Sequence, residues 1–524
     1  MLGERPAAPI RESASLRHVL RILRTRTVIA LALTLSCLEF AIAPPVALGM
    51  FRLGIADDSA TERSADSTWW EGALSASRAS TLRLVINWSA VAANRPADAR
   101  NPDDPAYNWR QPDAAVRLAA RSGGEVLFAV QKAPLWAEGS GRPKTGYGPS
   151  GDEPPWPGSW KPSATELGKF GAAIAKRYNG FSEDPLNPSE TLPRTRLFEA
   201  WNEPNYKMYL TPQILGEGAK RKVVAMDIYR KLLNSFYEGV KSVQPDALVS
   251  VAGLGPYGSS SQGQEIQPQG FARSLLCLTG AATKLRKSPT CRLRSKLDAI
   301  SIHPWSLFGA PRVKAIDPDG GAFGNTPDFK ELLDFAAKKR TILPAGPKQL
   351  WVTEFGWITN PPGRLVADGS RNAVGIRPRL AAAYTSEAIY RMWRWGVSEA
   401  IYFNLRDKEQ FPSGLYFWPA GSTTATEATP KPSLTAFKFP LMAVGRRGQE
   451  GSAWAISPCR GDGASVSIQF ATRGRWTSAA TFTPDPSGMV DERVMIPAAA
   501  ESVRGVATGP ECSARSVVMS IFSK

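Results

Sequence analysis

The chain has 524 residues, 43% hydrophobic and 21% charged, which excludes a wholly disordered polypeptide; a single isolated apolar run near the N-terminus excludes a multi-pass membrane protein. Lys and Arg number 64 against 47 acidic residues, a net charge of +17, but the basic residues are scattered rather than gathered into tracts. That argues against a nucleic-acid-binding domain and leaves the charge as surface composition or as complementarity to an acidic glycan or an anionic cell envelope.

In residues 1–43, Arg5, Arg11, Arg17, Arg21, Arg24 and Arg26 precede the apolar stretch Val28 to Ile42, which ends in Ala41-Ile42-Ala43, a small-x-small pattern. This segment reads as a signal peptide or, with Glu39 inside the run and Pro44 after the cleavage pattern, as an uncleaved N-terminal anchor. The expected localisation is secreted or cell-surface, with a membrane contact only through that anchor. Beyond it lie four cysteines, Cys277, Cys291, Cys459 and Cys512, an even number that suggests disulfides in an exported chain. Three pairings are possible, and Cys277 with Cys291 and Cys459 with Cys512 keeps each pair within one segment. His303 is the only histidine after the signal and no Cys-x-x-Cys occurs, so neither a metal site nor a cofactor is expected.

From about residue 50, short β-branched runs alternate with longer amphipathic stretches, the pattern of repeated βα units with buried parallel strands. The strand candidates number eight: Phe51 to Ile55, Thr81 to Asn87, Glu125 to Val130, Arg196 to Trp201, Leu248 to Ala252, Leu297 to Ile302, Gln349 to Thr353 and Glu399 to Phe403. Between them, Val224, Ile228, Leu232, Phe236 and Val240, and again Leu380, Tyr384, Ala388, Met392 and Trp395, recur at helical spacing and mark core-facing stripes. The segments after strands, notably 134–162, 253–292, 303–326 and 355–378, are long and rich in Gly, Pro and Trp, whereas those before strands are shorter. The fold class expected is therefore α/β, a (β/α)8 TIM barrel over 50–444 whose elaborated rim is the C-terminal face of the strands, where binding sites form. Residues 445–524 change to short alternating runs such as Ala464 to Phe470 and Val517 to Phe522, a small β-sandwich expected to pack against the barrel rather than to bind sugars.

Two strand ends each place a Glu where strand gives way to loop: Phe198-Glu199-Ala200-Trp201-Asn202-Glu203-Pro204-Asn205 and Trp351-Val352-Thr353-Glu354-Phe355-Gly356-Trp357. On strands four and seven of a closed barrel these carboxyls reach the same rim and can face each other across a cleft. Facing carboxyls suit glycosidic cleavage: one protonates the leaving oxygen while the other attacks the anomeric carbon or activates water, and their separation decides between retention and inversion.

Trp201-Asn202-Glu203-Pro204 and Thr353-Glu354-Phe355-Gly356 resemble the two signatures of glycoside hydrolase clan A, a resemblance covering about residues 50 to 440 and nearest in flavour to the cellulase-like family 5 and the xylosidase-like family 39. The resemblance implies a retaining glycosidase with Glu203 as acid/base and Glu354 as nucleophile. It implies further that Arg83 holds Glu354 ionised, that Asn202 donates to the sugar 2-hydroxyl and that His303, in Ile302-His303-Pro304-Trp305, lines the cleft. The charge of Glu354 is then expected to raise the proton affinity of Glu203. Trp136 and Trp305 are the preferred stacking platforms for pyranose faces. Many clan members carry a Trp at the end of strand eight where this chain runs Tyr402-Phe403-Asn404, so Tyr402 or Asn404 is expected to take its place. The implied partner is a poly- or oligosaccharide, acidic in one version; a transglycosidase and a non-catalytic glycan-binding barrel are the alternatives.

Overall fold

The computed structural model describes residues 51–523 except 62–66, 147–152, 217–219, 259–264, 282–283, 307–308, 360–374, 409–410 and 419–426. The expected signal peptide or anchor lies outside the described residues, and so do parts of the long rim segments.

Eight parallel strands close into a barrel: β1 Arg52–Ala56, β2 Thr81–Asn87, β3 Glu125–Gln131, β4 Leu197–Ala200, β5 Leu248–Val251, β6 Ala299–Ile302, β7 Gln349–Phe355 and β8 Val397–Phe403. Each pairs with its sequence neighbours, and β8 closes onto β1. A helix follows every strand: α1 Ser67–Ser77, α2 Arg110–Arg121, α3 Ala164–Arg177, α4 Ala225–Lys241, α5 Pro268–Leu275, α6 Thr326–Lys339, α7 Pro378–Arg394 and α8 Pro432–Lys438. The chain is thus a (β/α)8 barrel, and the strands expected from sequence are all present, displaced by at most two residues at either end. Local signals agree with the helix starts: Ser163 accepts a hydrogen bond from the Glu166 backbone N–H at the head of α3, and Pro268, Pro378 and Pro432 occupy first turns.

One stripe is offset from its expected place. On α7, which begins at Pro378, Leu380 is exposed, and Ala381, Thr385, Ala388, Ile389 and Met392 form the buried face. Between α3 and α4 the approach is close enough that a Cβ on Gly239 would lie 2.0 Å from the Gly168 carbonyl oxygen, so glycine is required there.

The alternation of side chains along each strand sorts the barrel into two cores. Phe128, Phe198, Val249, Ile300 and Val352 face the helices, whereas Leu127, Leu197, Ala299 and Trp351 form a separate apolar cluster inside the barrel. Two residues further along the same strands the inward positions turn polar: Glu199 on β4, Ser301 on β6 and Thr353 on β7, with Arg83 from β2 among them. The apolar plug is the floor on which a charged layer stands.

After α8 the chain enters two antiparallel sheets. The first orders β9 Leu441–Val444, β10 Glu450–Ile456 and β13 Met489–Met495; the second orders β12 Arg475–Phe482, β11 Ser465–Thr472, β14 Ser502–Gly509 and β15 Cys512–Arg515. Leu441–Val444, ahead of the expected boundary, already pairs with Glu450–Ile456. Trp454 of β10 is buried with its ring centroid 5.3 Å from Tyr390 and 5.5 Å from Trp393 of α7, which binds this module to the barrel wall. Val517 to Phe522 forms isolated bridges rather than a strand. Cys277 pairs with Cys291 and Cys459 with Cys512, spanning 14 and 53 residues.

Candidate active site

Two local departures from regular backbone aim the carboxylates. After β4, Trp201 at φ +88° and Glu203 at φ +38° turn the chain sharply while the Glu203 N–H donates to the Gly253 carbonyl. On β7 the register against β8 slips between Val352 and Phe355, one extra residue on β7, so that Thr353 and Glu354 both reach into the barrel although they are adjacent.

Arg83 is the hub. It is fully buried, donates from Nε to Glu199 Oε2 at 2.8 Å, from Nη1 to Glu354 Oε1 at 2.8 Å, and from Nη2 to Asn202 Oδ1 at 2.9 Å. The planar guanidinium thereby fixes side chains from β4, the turn after it, and β7 in one arrangement. His303, also fully buried, places Nδ1 2.9 Å from Glu203 Oε1 and Nε2 3.2 Å from Thr353 Oγ1 and 3.7 Å from Glu354 Oε1. A Cβ on Gly253 would fall 1.9 Å from His303 Nε2, so only glycine leaves room for this ring.

Donor atoms of Glu203, His303 and Glu354 all lie within 4.8 Å of one another, so the two carboxyl groups approach to within that distance. Their side chains are 14% and 13% exposed, open on one side and otherwise enclosed. The trio is also the one group among the described residues with donors close enough for a metal ion, but the guanidinium bonded to Glu354 Oε1 already supplies the positive charge there.

Burial dominates the electrostatics. It raises Glu203 from 4.5 to about 8, with Glu199 and Glu265 adding to the rise and Arg83 opposing it. It also raises Glu354, opposed by His303 and Arg83 and assisted by Glu203 and Glu199. Arg83 lowers the proton affinity of Glu354 as expected, though burial outweighs it; for Glu203 the expectation is corrected, since the negative charges that add to its rise are Glu199 and Glu265 rather than Glu354. Burial lowers His303, which is therefore neutral at neutral pH.

Glu203, Glu354, Arg83, Asn202 and His303 thus converge. Tyr402 does not join them: the pleat turns it outward, fully buried, with its ring 5.2 Å from Phe355 and 5.9 Å from Phe437 of α8. Asn404 is fully buried, and neither Oδ1 nor Nδ2 finds a hydrogen-bond partner among the described residues. The aromatic at the end of β8 is Phe403, half-buried, edge-on to Trp305 and Phe411 at 5.6 Å each. Trp305 is 6% exposed and sits beside Gly356, so it forms wall rather than an open platform. Trp136 is half-buried, edge-on to Trp88 at 5.6 Å, with Nε1 donating to the Ala92 carbonyl and Arg95 over its ring.

Sequence reasoning missed Glu199, Thr353, Phe403, Glu265, Tyr206 and Tyr209. Glu199 had a signal, a charged residue at an inward position of an otherwise apolar strand. Tyr206 and Tyr209, on the turn after Glu203, had none beyond proximity in sequence; both hydroxyls are pushed up by burial and by the charge of Glu203.

No family model matches the chain, and no curated protein matches it. Among solved structures it is similar to a glucosidase from Croceicoccus marinus (12% identity, TM-score 0.45, covering 86% of this chain and 94% of that one). It is also similar to an FMN-binding β-glucuronidase from Facaelibacterium prausnitzii L2-6 (11%, TM-score 0.36, 92% and 57%) and to a GH113 β-1,4-mannanase (12%, TM-score 0.33, 74% and 96%).

Proposed function

We propose that this protein is a retaining glycoside hydrolase that cleaves O-glycosidic bonds of a poly- or oligosaccharide by double displacement, without a cofactor. The observation that carries this is the approach of Glu203 and Glu354 to within 4.8 Å, with Arg83 bonded to only one of them. An oxygen-to-oxygen approach of this kind accords with direct attack by a carboxylate, for which the carboxyl groups stand about 5 to 5.5 Å apart, more than with the about 6.5 to 9.5 Å that an intervening water requires.

In this reading Glu203, protonated at neutral pH, gives its proton to the leaving oxygen. Glu354, kept anionic by its hydrogen bond from Arg83, attacks the anomeric carbon and forms the glycosyl-enzyme. Glu203, now a carboxylate, takes a proton from water, and the hydroxide formed expels Glu354. Asn202, its carbonyl held by Arg83 and its side chain also hydrogen-bonded to Tyr209, is fixed beside Glu203, where a sugar hydroxyl would compete with Tyr209 for its amide. The two disulfides fit work in an oxidising compartment, and the expected export segment is proposed to bring the chain there.

The test is a screen of glycans, neutral and uronate-containing, with wild type, Glu354→Ala and Glu203→Ala, following reducing ends and the anomer first released by proton NMR. Wild type is expected to release the anomer of the bond cleaved, and Glu354→Ala none. Inverted product would refute retention. Glycan binding by all three proteins with cleavage by none would identify a glycan-binding barrel instead.

A further inference from the structure

Behind the two carboxyls runs a second chain of hydrogen bonds, Glu203 to His303 to Thr353 to Glu199, whose direction is dictated by proton counting. Glu199 is fully buried and bound through Oε2 to both Nε and Nη2 of Arg83, so it is the acceptor at the far end. Its other oxygen, Oε1, lies 2.8 Å from Thr353 Oγ1, and the threonine hydroxyl has one proton, which goes there. Thr353 Oγ1 therefore offers only lone pairs to His303 Nε2 at 3.2 Å, and the other group facing that nitrogen, Glu354 Oε1, is an acceptor as well. Nε2 must carry the imidazole proton. A neutral imidazole has only one, so Nδ1 is bare, and its contact with Glu203 Oε1 at 2.9 Å is a hydrogen bond only if Glu203 supplies the proton.

We infer that Glu199, Thr353 and His303 form a directional relay that fixes His303 as the Nε2–H tautomer and thereby holds the proton on Glu203 until a substrate oxygen competes with Nδ1 for it. Glu199 and Thr353 act through His303 and are positioning residues. The groups facing Glu203 are Arg83 from β2, Glu199 from β4, Glu265 after β5, His303 after β6, Glu354 from β7, and Tyr206 and Tyr209 on its own turn. Of these, Arg83 alone is cationic, and its three hydrogen-bonding nitrogens are taken up by Glu199, Glu354 and Asn202. The rise in Glu203 caused by burial points the same way. The consequence for catalysis rests on the glycosidase reading; the tautomer does not.

The chain contains two histidines, His18 and His303, so the relay can be read directly. Full-length protein bearing His18→Gln and labelled with ¹⁵N only in histidine shows one imidazole. Near neutral pH it is expected to give a pyrrole-like Nε2 and a pyridine-like Nδ1. Glu199→Gln should reverse the relay: its carbonyl stays on Arg83, its amide donates to Thr353 Oγ1, the threonine proton turns to Nε2, and the imidazole becomes the Nδ1–H tautomer, favouring ionised Glu203. Thr353→Ser should keep the original tautomer, and Thr353→Val, which lacks the hydroxyl, should lose the uniform Nε2–H state. An imidazolium or an Nδ1–H tautomer in the His18→Gln protein overturns the relay, as does an unchanged Nε2–H tautomer in folded Glu199→Gln or Thr353→Val. On any glycan the wild type cleaves, the alkaline limb of kcat/KM should fall by about one pH unit or more in Thr353→Val, a loss of about tenfold on that limb, with Thr353→Ser close to wild type. Failure to cleave any glycan, with the expected tautomers observed, would count against the hydrolase reading and leave the relay standing.

Discussion

Replacing Glu203 by Gln should stabilise the fold, and by more as the pH rises. In the folded chain burial pushes this carboxyl from 4.5 to about 8. The unfolded chain gives up the same proton near its ordinary value, so across that window the native state binds the proton more tightly and stability falls as pH increases. The stabilising contribution is fully present below the unfolded value and gone above the folded one. At about 1.36 kcal/mol per unit, the accumulated cost is about 3 kcal/mol at neutral pH and about 5 kcal/mol well above it. The side chain is 14% exposed, so solvent screening trims this figure only modestly. Gln has the same shape and can donate to His303 Nδ1, so the substitution removes the ionisation without emptying the site. Thermal and urea unfolding of both full-length proteins from about pH 4 to about pH 9 is the assay. The two proteins should unfold alike at the acid end and diverge steadily toward the alkaline end, with the variant the more stable. A stability difference that stays constant over the whole range refutes the argument that burial of an ionisable Glu203 is costly.

Three further perturbations address the supports of the site. Gly253→Ala would put a methyl 1.9 Å from His303 Nε2, so the ring must move; a fall of at least about tenfold in kcat/KM is expected, with the histidine ¹⁵N signals displaced. Arg83→Lys keeps one charge but cannot reach Glu199, Asn202 and Glu354 together, so the opposition to the rise in Glu354 weakens and the acid limb of the kcat profile should move to higher pH. Lys431 is fully buried, with Nζ bonded to Asp407 and Thr359 beneath the segment that follows β8; Lys431→Met strands a mostly buried Asp407 and should cost about 3 to 5 kcal/mol in unfolding measurements, much of it recovered by adding Asp407→Asn.

The barrel was legible because its strands are buried on both faces and read as short apolar runs at regular intervals, which hardly any other arrangement of this length produces. Glu203 and Glu354 were legible for a different reason: a carboxylate at the end of a buried strand has nowhere to point but the rim. What the sequence concealed depends on details of backbone that no periodicity reports. An ideal pleat would send Thr353 and Glu354 to opposite faces, and only the bulge on β7 brings both inward, so the role of Thr353 could not be counted from strand alternation. The same alternation, applied strictly at β8, would have separated Tyr402 from Phe403 and turned Tyr402 to the helices. Glu199 was passed over because it sits one turn of the pleat below the rim, where a charge normally has a structural partner, and Arg83 is indeed that partner.

Burial raises both carboxyls, so low dielectric by itself cannot make one an acid and the other a nucleophile. The division comes from contacts. Glu354 receives a hydrogen bond from a guanidinium that is held by two other side chains and cannot turn away, which favours its anion. Glu203 meets no cation directly among the described residues; its near neighbour is an imidazole whose free lone pair, fixed by Thr353 and Glu199, favours the acid. Arg83 and Glu199 are bonded to each other, so the group that stabilises the anion and the group that anchors the acid belong to one buried ion pair. Exchanging either partner must therefore disturb both carboxyls at once, whereas Thr353, which touches Glu199 and His303 but not Arg83, is the place where the acid can be perturbed while the nucleophile keeps its ion pair.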